Sequence, residues 1–399
     1  MTDADARRGT AGSVTTESLS LREPLLLECG RELEEVVVAY ETYGNLAPDA
    51  DNAALICHAL SGDAHAAGWA AVDTGTPSAV DGIGAEEQGV ADERRLGWWD
   101  SMIGPGKAFD TDELFVVCPN LLGGCRGTTG PPSLDPATGA PYGATFPAVT
   151  VGDMIEVQRR FLHELGTDRL LCAAGPSLGG MQALQWTIDF PDQIDLCVAI
   201  AATAGLSARG LALNAVARNA ITADPGWRGG DARAGLALAR QIGHITYVSA
   251  ETLERKFGRR LQDRDEPSYT LDEPDFAIES YLARQGERFV QRFDANTYLA
   301  MSRALTYFDL ARTHGGGSLP HAFAPAQAAF LLLSFTSDWL YEPADSERLA
   351  AALTAAGKEV VHVCIEDDYG HDAFLLDAEG QAPHIRRALA HALAERRSG

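Results

Sequence analysis

Residues 169–190 read RLLCAAGPSLGGMQALQWTIDF, which is a short apolar run, a Gly-Pro-Ser-Leu-Gly turn and then a helical pattern. Small residues at Gly175 and Gly179 let the chain reverse sharply, so that Ser177 projects from the end of a strand while the following helix packs close to it. The G-x-S-x-G pattern also occurs in turns with a purely structural role. Because a strand precedes it here and a helix follows, it predicts a nucleophilic serine.

A serine hydroxyl is a weak nucleophile until a base takes its proton, so a histidine oriented by a carboxylate should follow at the ends of later strands. The apolar run AFLLLSF leads into Asp338, and the run EVVHVCI leads into His371. We therefore predict Asp338 as the acid and His371 as the base. Asp367 and Asp368 remain alternatives for the acid, although they lie in the histidine's own loop.

The loop CHALSGDAH at residues 57–65 follows the third strand of the predicted sheet. In this arrangement the oxyanion formed during acyl transfer is held by two backbone N–H groups, which here are those of Leu60 and Leu178. His58 and His65 could suggest a metal site. No further cysteine or carboxylate pattern completes a ligand set, so we predict no metal and expect His58 to support the loop.

Eight short runs rich in apolar and β-branched residues recur along the chain, and several are apolar on both faces, as in the central strands of a parallel sheet. These runs are LLLEC, EVVVAY, AALICHAL, LFVVCPN, RLLCAAG, DLCVAIAA, AFLLLSF and EVVHVCI. Helical patterns lie between some of them, and one begins at Thr150 with Asp153 at the capping-box position. The pattern predicts an α/β fold with a mostly parallel, eight-stranded sheet.

Residues 205–325 lack strand signals and show helical patterns instead, which predicts a helical cap, or lid, over the carboxyl edge of the sheet. The core domain is then formed by residues 21–204 and 326–399. Residues 1–20 are expected to be a disordered tail, and the Gly, Ala and acid-rich segment 68–95 a surface loop.

The chain has 399 residues, with 56 acidic and 32 basic side chains and a net charge of -24. This charge argues against nucleic acid or an anionic membrane as a partner, because phosphate groups would repel it. No apolar core of a signal peptide is found in residues 1–20, and no apolar run approaches the roughly 18 residues of a membrane span. The seven cysteines include no C-x-x-C pair, which is typical of free thiols in a reducing cytoplasm.

From about residue 27 to residue 394, the sequence resembles the homoserine O-acetyltransferase family of the α/β-hydrolase superfamily. The segments that carry the resemblance include CHALSGDAH, GWWDSMIGPGKAFDT, NLLGGCRGTTGP, GPSLGGMQALQW, ARQIGHITY, SDWLYEP and YGHDAF. The resemblance implies an α/β-hydrolase fold and a homodimer. It also implies ping-pong transfer of acetyl from acetyl-CoA, used as co-substrate with no further cofactor, to L-homoserine in methionine biosynthesis. Ser177, Asp338 and His371 match the family's nucleophile, acid and base.

Three further residues receive roles only from this resemblance. Arg240, in ARQIGHITY, matches the arginine that binds the carboxylate of the acceptor, and Tyr247 matches a tyrosine lining the same pocket. Asp372 matches the residue that binds the acceptor's polar end. A guanidinium can grip a carboxylate bidentately and a carboxylate can pair with an ammonium, so these residue types suit an amino-acid acceptor.

Several alternatives stay open on the sequence. Succinyl-CoA could replace acetyl-CoA as the donor, and serine could replace homoserine as the acceptor, because one or two pocket side chains decide such choices. A thioesterase or carboxylesterase would use the same three residues. A non-catalytic binding protein of this fold would usually lack one of them, and here all three positions are occupied.

Overall fold

The computed structural model describes residues 10–70 and 95–398. Twelve strands occur in these two ranges: β1 (Ser13–Val14), β2 (Glu17–Ser20), β3 (Leu25–Leu26), β4 (Glu32–Leu33), β5 (Val37–Tyr43), β6 (Ala53–Ile56), β7 (Trp69–Ala70), β8 (Phe115–Pro119), β9 (Leu170–Pro176), β10 (Ile194–Ile200), β11 (Ala329–Phe335) and β12 (Val360–Ile365). Eight of them form one sheet in the order β12-β11-β10-β9-β6-β8-β5-β2. The first six strands in this order pair in parallel, whereas β8–β5 and β5–β2 are antiparallel.

The number of sheet strands agrees with the prediction, but one member differs. The run LLLEC forms β3, which pairs only with β4 in a separate ribbon. The eighth sheet strand is β2, whose sequence ESLS carries no apolar run because it lies at the sheet edge and is largely exposed. The prediction of a disordered tail over residues 1–20 is therefore wrong for residues 13–20, which contribute β1 and β2. Residues 1–9 lie outside the described range.

Twelve α-helices are found in the described part of the chain: α1 (Val151–Glu164), α2 (Leu178–Asp189), α3 (Ala208–Ala223), α4 (Arg233–Tyr247), α5 (Ala250–Lys256), α6 (Ala277–Val290), α7 (Ala295–Tyr307), α8 (Leu310–Gly315), α9 (Leu319–Ala322), α10 (Pro343–Ala355), α11 (Ala373–Leu376) and α12 (Ala378–Ser398). Helix α1 begins at the expected capping box, in which the Thr150 hydroxyl accepts from the Asp153 N–H and the Asp153 carboxylate accepts from the Thr150 N–H. None of these helices combines the length and apolar character needed to cross a bilayer.

Two apolar cores cover the two faces of the sheet, as the alternation of side chains along a strand requires. In β6, Leu55 belongs to the core shared with α1 and α2, whereas Ala54 and Ile56 belong to the core shared with α12. Because both faces are buried, the central strands are apolar throughout, which is the pattern that made them recognisable.

Helices α3 to α9 all lie between β10 and β11, in the segment predicted to be the lid. Helix α4 contacts the short 3-10 helix Gly370–Asp372 after β12, and a Cβ at Gly370 would lie 2.8 Å from the Tyr247 carbonyl oxygen. The helical segment thus meets the carboxyl edge of the sheet. Its standing as a separate domain over residues 205–325 stays a prediction. Most of the predicted surface loop at 68–95, residues 71–94, lies outside the described residues.

Candidate active site

The turn between β9 and α2 presents Ser177 in a strained conformation, with φ 56° and ψ -121°. Non-glycine residues rarely adopt such a backbone. A Cβ added at Gly179 would lie 1.9 Å from the Cys57 carbonyl oxygen, and one added at Gly175 would lie 2.3 Å from the same atom. The two glycines are required because the strand, the helix and the Cys57 loop meet at this point.

His371 and Asp338 form a buried pair at the ends of neighbouring strands. The Nδ1 atom of His371 lies 2.7 Å from Asp338 Oδ2, and each residue is 2% exposed. The other oxygen, Asp338 Oδ1, accepts hydrogen bonds from the N–H groups of Leu340 (2.9 Å) and Tyr341 (3.0 Å). With its Nδ1–H held by the carboxylate, the ring keeps Nε2 available as a base, and Ser177 lines the same pocket as His371.

The two alternative acids make other contacts. The Asp367 carboxylate accepts from the Ser337 hydroxyl (2.7 Å) and the Tyr369 N–H (2.8 Å). The Asp368 carboxylate pairs with Arg255 of the lid. Both therefore serve the conformation and docking of the loop, and Asp338 alone of the three is hydrogen-bonded to His371.

The loop that carries Leu60 is fixed by a neutral histidine. Burial lowers the pKa of His58, whose Nδ1–H donates to the Ala59 carbonyl oxygen at 2.8 Å. Its Nε2 then accepts from the Leu121 N–H at 3.2 Å. Leu60 lines the pocket beside Ser177, and the N–H of Leu178 lies at the start of α2, so both predicted oxyanion donors are close to the serine.

The second histidine of this loop also bonds to protein groups. The Nδ1 of His65 lies 2.9 Å from Glu41 Oε2, and its Nε2 lies 3.0 Å from the Arg95 carbonyl oxygen. In the part of the chain that is described, no group of three or more His, Cys, Asp or Glu side chains is arranged to hold a metal ion.

The pocket also contains one buried cation and one buried carboxyl group. Arg240 of α4 is 6% exposed, and its guanidinium carbon lies 5.4 Å from the Tyr247 ring centroid and 4.9 Å from that of Phe289. Its Nε has no hydrogen-bond partner among the described residues. Burial raises the pKa of Asp372 to about 6, an effect that the nearby Arg240 and His371 partly offset. A guanidinium and a carboxyl group held this way suit a zwitterionic ligand.

Ser177 also opens onto a second cavity on the lid side. Its lining comes from α3, α4, α7 and the loop after β11 and includes Leu206, Gly210, Ala217, Ile242 and Leu340. No charged side chain lines it within the described residues. The serine thus stands between a pocket that contains the charged groups of Arg240 and Asp372 and a cavity on the lid side whose described lining is uncharged.

Sequence reasoning gave no role to several side chains that line these two cavities. Trp98 and Phe374 line the pocket that contains Arg240. The Tyr341 ring lies edge-on to the His371 ring, with centroids 5.1 Å apart. Tyr341 belongs to the segment SDWLYEP, in which only the aspartate was assigned a function. Its position three residues after that aspartate was the available signal.

The chain is similar to known proteins both in sequence and in fold. A family model described as alpha/beta hydrolase fold matches residues 80–378. A homoserine O-acetyltransferase from Solidesulfovibrio magneticus is 49% identical over 378 residues, which is 93% of this chain and 90% of that protein. A homoserine O-succinyltransferase from Pseudomonas putida is 48% identical over 92% of this chain and 93% of its own length. The crystal structure of homoserine O-acetyltransferase from Bacillus anthracis superimposes with a TM-score of 0.83 at 28% identity, covering 94% of this chain and 98% of that one.

Proposed function

The chain belongs to the homoserine O-acetyltransferase family of α/β-hydrolase-fold proteins, and on that premise we propose that it transfers acetyl from acetyl-CoA to the hydroxyl of L-homoserine. The observation that carries the proposal is a single pocket in which Ser177 lies beside His371, which is hydrogen-bonded to Asp338, and beside the buried groups of Arg240 and Asp372. The Nε of Arg240 has no hydrogen-bond partner among the described residues. The product, O-acetyl-L-homoserine, would serve methionine biosynthesis.

The first half-reaction forms an acyl-serine. Ser177 Oγ attacks the thioester carbonyl carbon while His371 Nε2 takes the serine proton. The carbonyl oxygen becomes an oxyanion bound by the N–H groups of Leu60 and Leu178. The carbon–sulfur bond then breaks, and CoA leaves as a thiol with the proton that His371 returns.

The second half-reaction takes place in the pocket that contains Arg240 and Asp372. Arg240 binds the acceptor carboxylate and Asp372 binds its ammonium group, with the Tyr247 ring beside both. The acceptor hydroxyl gives its proton to His371 and attacks the acyl carbon, the bond to Ser177 Oγ breaks, and His371 returns the proton to the serine. Transfer exceeds hydrolysis because the lid and the burial of His371 and Asp338 limit access of water.

The charge lining the cavities favours acetyl over succinyl as the donor group. A succinyl group carries a free carboxylate, which needs a cationic partner when buried. Within the described residues that line the two cavities, Arg240 is the only arginine or lysine, and the acceptor carboxylate already requires it. We therefore propose that Ser177 carries an acetyl group and that acetyl-CoA is the co-substrate, with no further cofactor.

We infer a cytoplasmic homodimer joined through the lid, with small-molecule substrates and neither nucleic acid nor membrane as a partner. Exposed apolar side chains on α3 and α4 support the interface, namely Leu211, Val216, Leu238 and Ile245. The net charge of -24 supports the exclusion of polyanionic partners.

Thiol release from acetyl-CoA and from succinyl-CoA, each with L-homoserine, L-serine or no acceptor, tests the activity. We expect rapid release only with acetyl-CoA and L-homoserine, together with O-acetyl-L-homoserine identified by mass spectrometry. Ser177→Ala should abolish this release. Release at the same rate without acceptor would identify a thioesterase instead, faster reaction with succinyl-CoA would overturn the donor assignment, and full activity of Ser177→Ala would contradict the mechanism.

A further inference from the structure

Tyr341 contacts the proposed acid and base and lies next to the proposed nucleophile. Its backbone N–H donates to Asp338 Oδ1 at 3.0 Å, and its ring meets the His371 ring at 5.1 Å with an interplanar angle of 85°. Tyr341 and Ser177 line the lid-side cavity together, and the Ser177 side chain offsets part of the rise that burial causes in the pKa of the Tyr341 hydroxyl, so the two hydroxyl groups lie close to each other. The residue that lies beside the proposed nucleophile is therefore itself held by the proposed acid and base.

The hydroxyl of Tyr341 keeps its proton at neutral pH. The residue is 6% exposed and packs in the main apolar core, and burial raises its pKa well above the usual range of a tyrosine. A protonated phenol is a hydrogen-bond donor. Ser177 Oγ has one proton and two lone pairs, so it can give its proton to His371 Nε2 while a lone pair accepts from Tyr341.

We propose that the Tyr341 hydroxyl donates a hydrogen bond to Ser177 Oγ in both half-reactions and so acts as a catalytic donor separate from the oxyanion hole. The proposal rests on the proposed acyl-serine mechanism. Ser177 Oγ carries partial negative charge when it attacks the thioester and again when the acyl–oxygen bond breaks and the electron pair returns to it. Tyr341 stabilises that charge and keeps its own proton, whereas Leu60 and Leu178 act on the carbonyl oxygen.

Tyr341→Phe tests the hydroxyl alone, because phenylalanine keeps the ring contact with His371 and the backbone N–H to Asp338. We expect acetyl-enzyme formation and its homoserine-dependent breakdown to slow by the same factor, about 10- to 100-fold, with the KM of homoserine unchanged. The control is Tyr40→Phe, which removes a tyrosine hydroxyl bonded to Glu17 away from the site and should leave both rates unchanged.

The partition of the acetyl-enzyme between homoserine and water separates this role from a structural one. Both acceptors must expel the same Ser177 oxygen, so loss of a donor to that oxygen leaves the ratio of transfer to hydrolysis unchanged. A variant that merely loosens the site would admit water and raise the hydrolysed share. A Tyr341→Phe enzyme with wild-type rates, or with an increased hydrolysed share, would overturn the proposal.

The same experiment separates this proposal from the proposed function. If the wild-type protein does not transfer acetyl to homoserine, the proposed function is wrong. Acetyl-enzyme formation and its hydrolysis by water would still measure the effect of the Tyr341 hydroxyl. The two ideas therefore fail independently.

Discussion

At the scale of single residues, the role proposed for Asp372 predicts a specific dependence of acceptor binding on pH. Burial raises the pKa of this carboxyl to about 6, so in the free enzyme it is ionised above that pH and becomes neutral below it. Only the ionised form attracts the acceptor ammonium. We therefore expect the affinity for L-homoserine, measured calorimetrically on Ser177→Ala to separate binding from turnover, to fall as the pH decreases through about 6.

The matching substitution is Asp372→Asn in the same Ser177→Ala background. It should weaken homoserine binding about 10- to 100-fold at pH 8, the cost of one charge-assisted hydrogen bond, and remove the loss of affinity near pH 6. Glu379→Gln changes an exposed carboxylate seven residues further on and should leave both properties unaltered. If the loss of affinity near pH 6 persisted in Asp372→Asn, the titrating group would be another residue.

The residues proposed for the site differ in how far the sequence alone could predict them, for a physical reason. Ser177, Asp338 and His371 follow apolar strands, and strand ends meet at one edge of a parallel sheet, so chain order alone predicted that they would lie close together. Arg240 lies on a lid helix, where its sequence environment resembles that of exposed helical arginines. Without the family resemblance of ARQIGHITY, only the packing against two aromatic rings, which depends on how the lid folds over the sheet, distinguishes it.

At the scale of elements, the junction of β9 and α2 depends on a close approach that tolerates no side chain at Gly179. A Cβ there would lie 1.9 Å from the Cys57 carbonyl oxygen, in the loop that also carries Leu60. Gly179→Ala must therefore displace either Ser177 or the loop that carries Leu60. We expect a loss of about 2 kcal/mol or more in the free energy of unfolding and at least a roughly 100-fold loss of thiol release.

The control for this substitution is Gly229→Ala, since a Cβ at Gly229 meets no atom within 4 Å and its φ is not in the left-handed region. Thermal unfolding and the acceptor-dependent assay measure both variants. A Gly179→Ala protein with wild-type melting temperature and rate would show that the junction can relax, contrary to the geometry described above.

Burial determines which strands of the sheet can be identified from the sequence. Central strands such as β9 and β10 are buried on both faces, so burial itself selects the apolar residues that reveal them. The edge strand β2 is held to β5 by backbone hydrogen bonds while its side chains stay largely exposed, so burial does not select apolar residues there. The run LLLEC, in contrast, sends Leu25 into the core from the short ribbon of β3 and β4.

At the scale of the whole molecule, the negative charge is distributed unevenly. Residues 205–325 contain 15 basic and 14 acidic side chains, whereas the whole chain has 32 basic and 56 acidic. The entire acidic excess therefore belongs to the rest of the chain, and the lid segment is nearly neutral. An anionic donor such as acetyl-CoA meets less repulsion at the lid than at any acidic face of the core.

The same distribution determines where two copies of the chain can meet. Two molecules of charge -24 repel each other through their core surfaces, whereas the lid combines near neutrality with exposed Val216 and Leu238 on α3 and α4. Val216→Asp together with Leu238→Asp should therefore convert the proposed dimer to monomers in light scattering and sedimentation. Leu134→Asp, which changes an apolar residue outside the lid that is at least as exposed, should leave the dimer intact.

The dependence of the dimer on salt provides the second part of this test. Apolar contacts at the lid are not weakened by salt, whereas the repulsion between the two acidic cores is screened, with a Debye length of about 10 Å at 0.1 M and about 3 Å at 1 M. We therefore expect the dimer dissociation constant to fall as sodium chloride is raised over this range. A dimer that dissociates at high salt would be held by ion pairs, and a double variant that remains dimeric would place the interface on another surface.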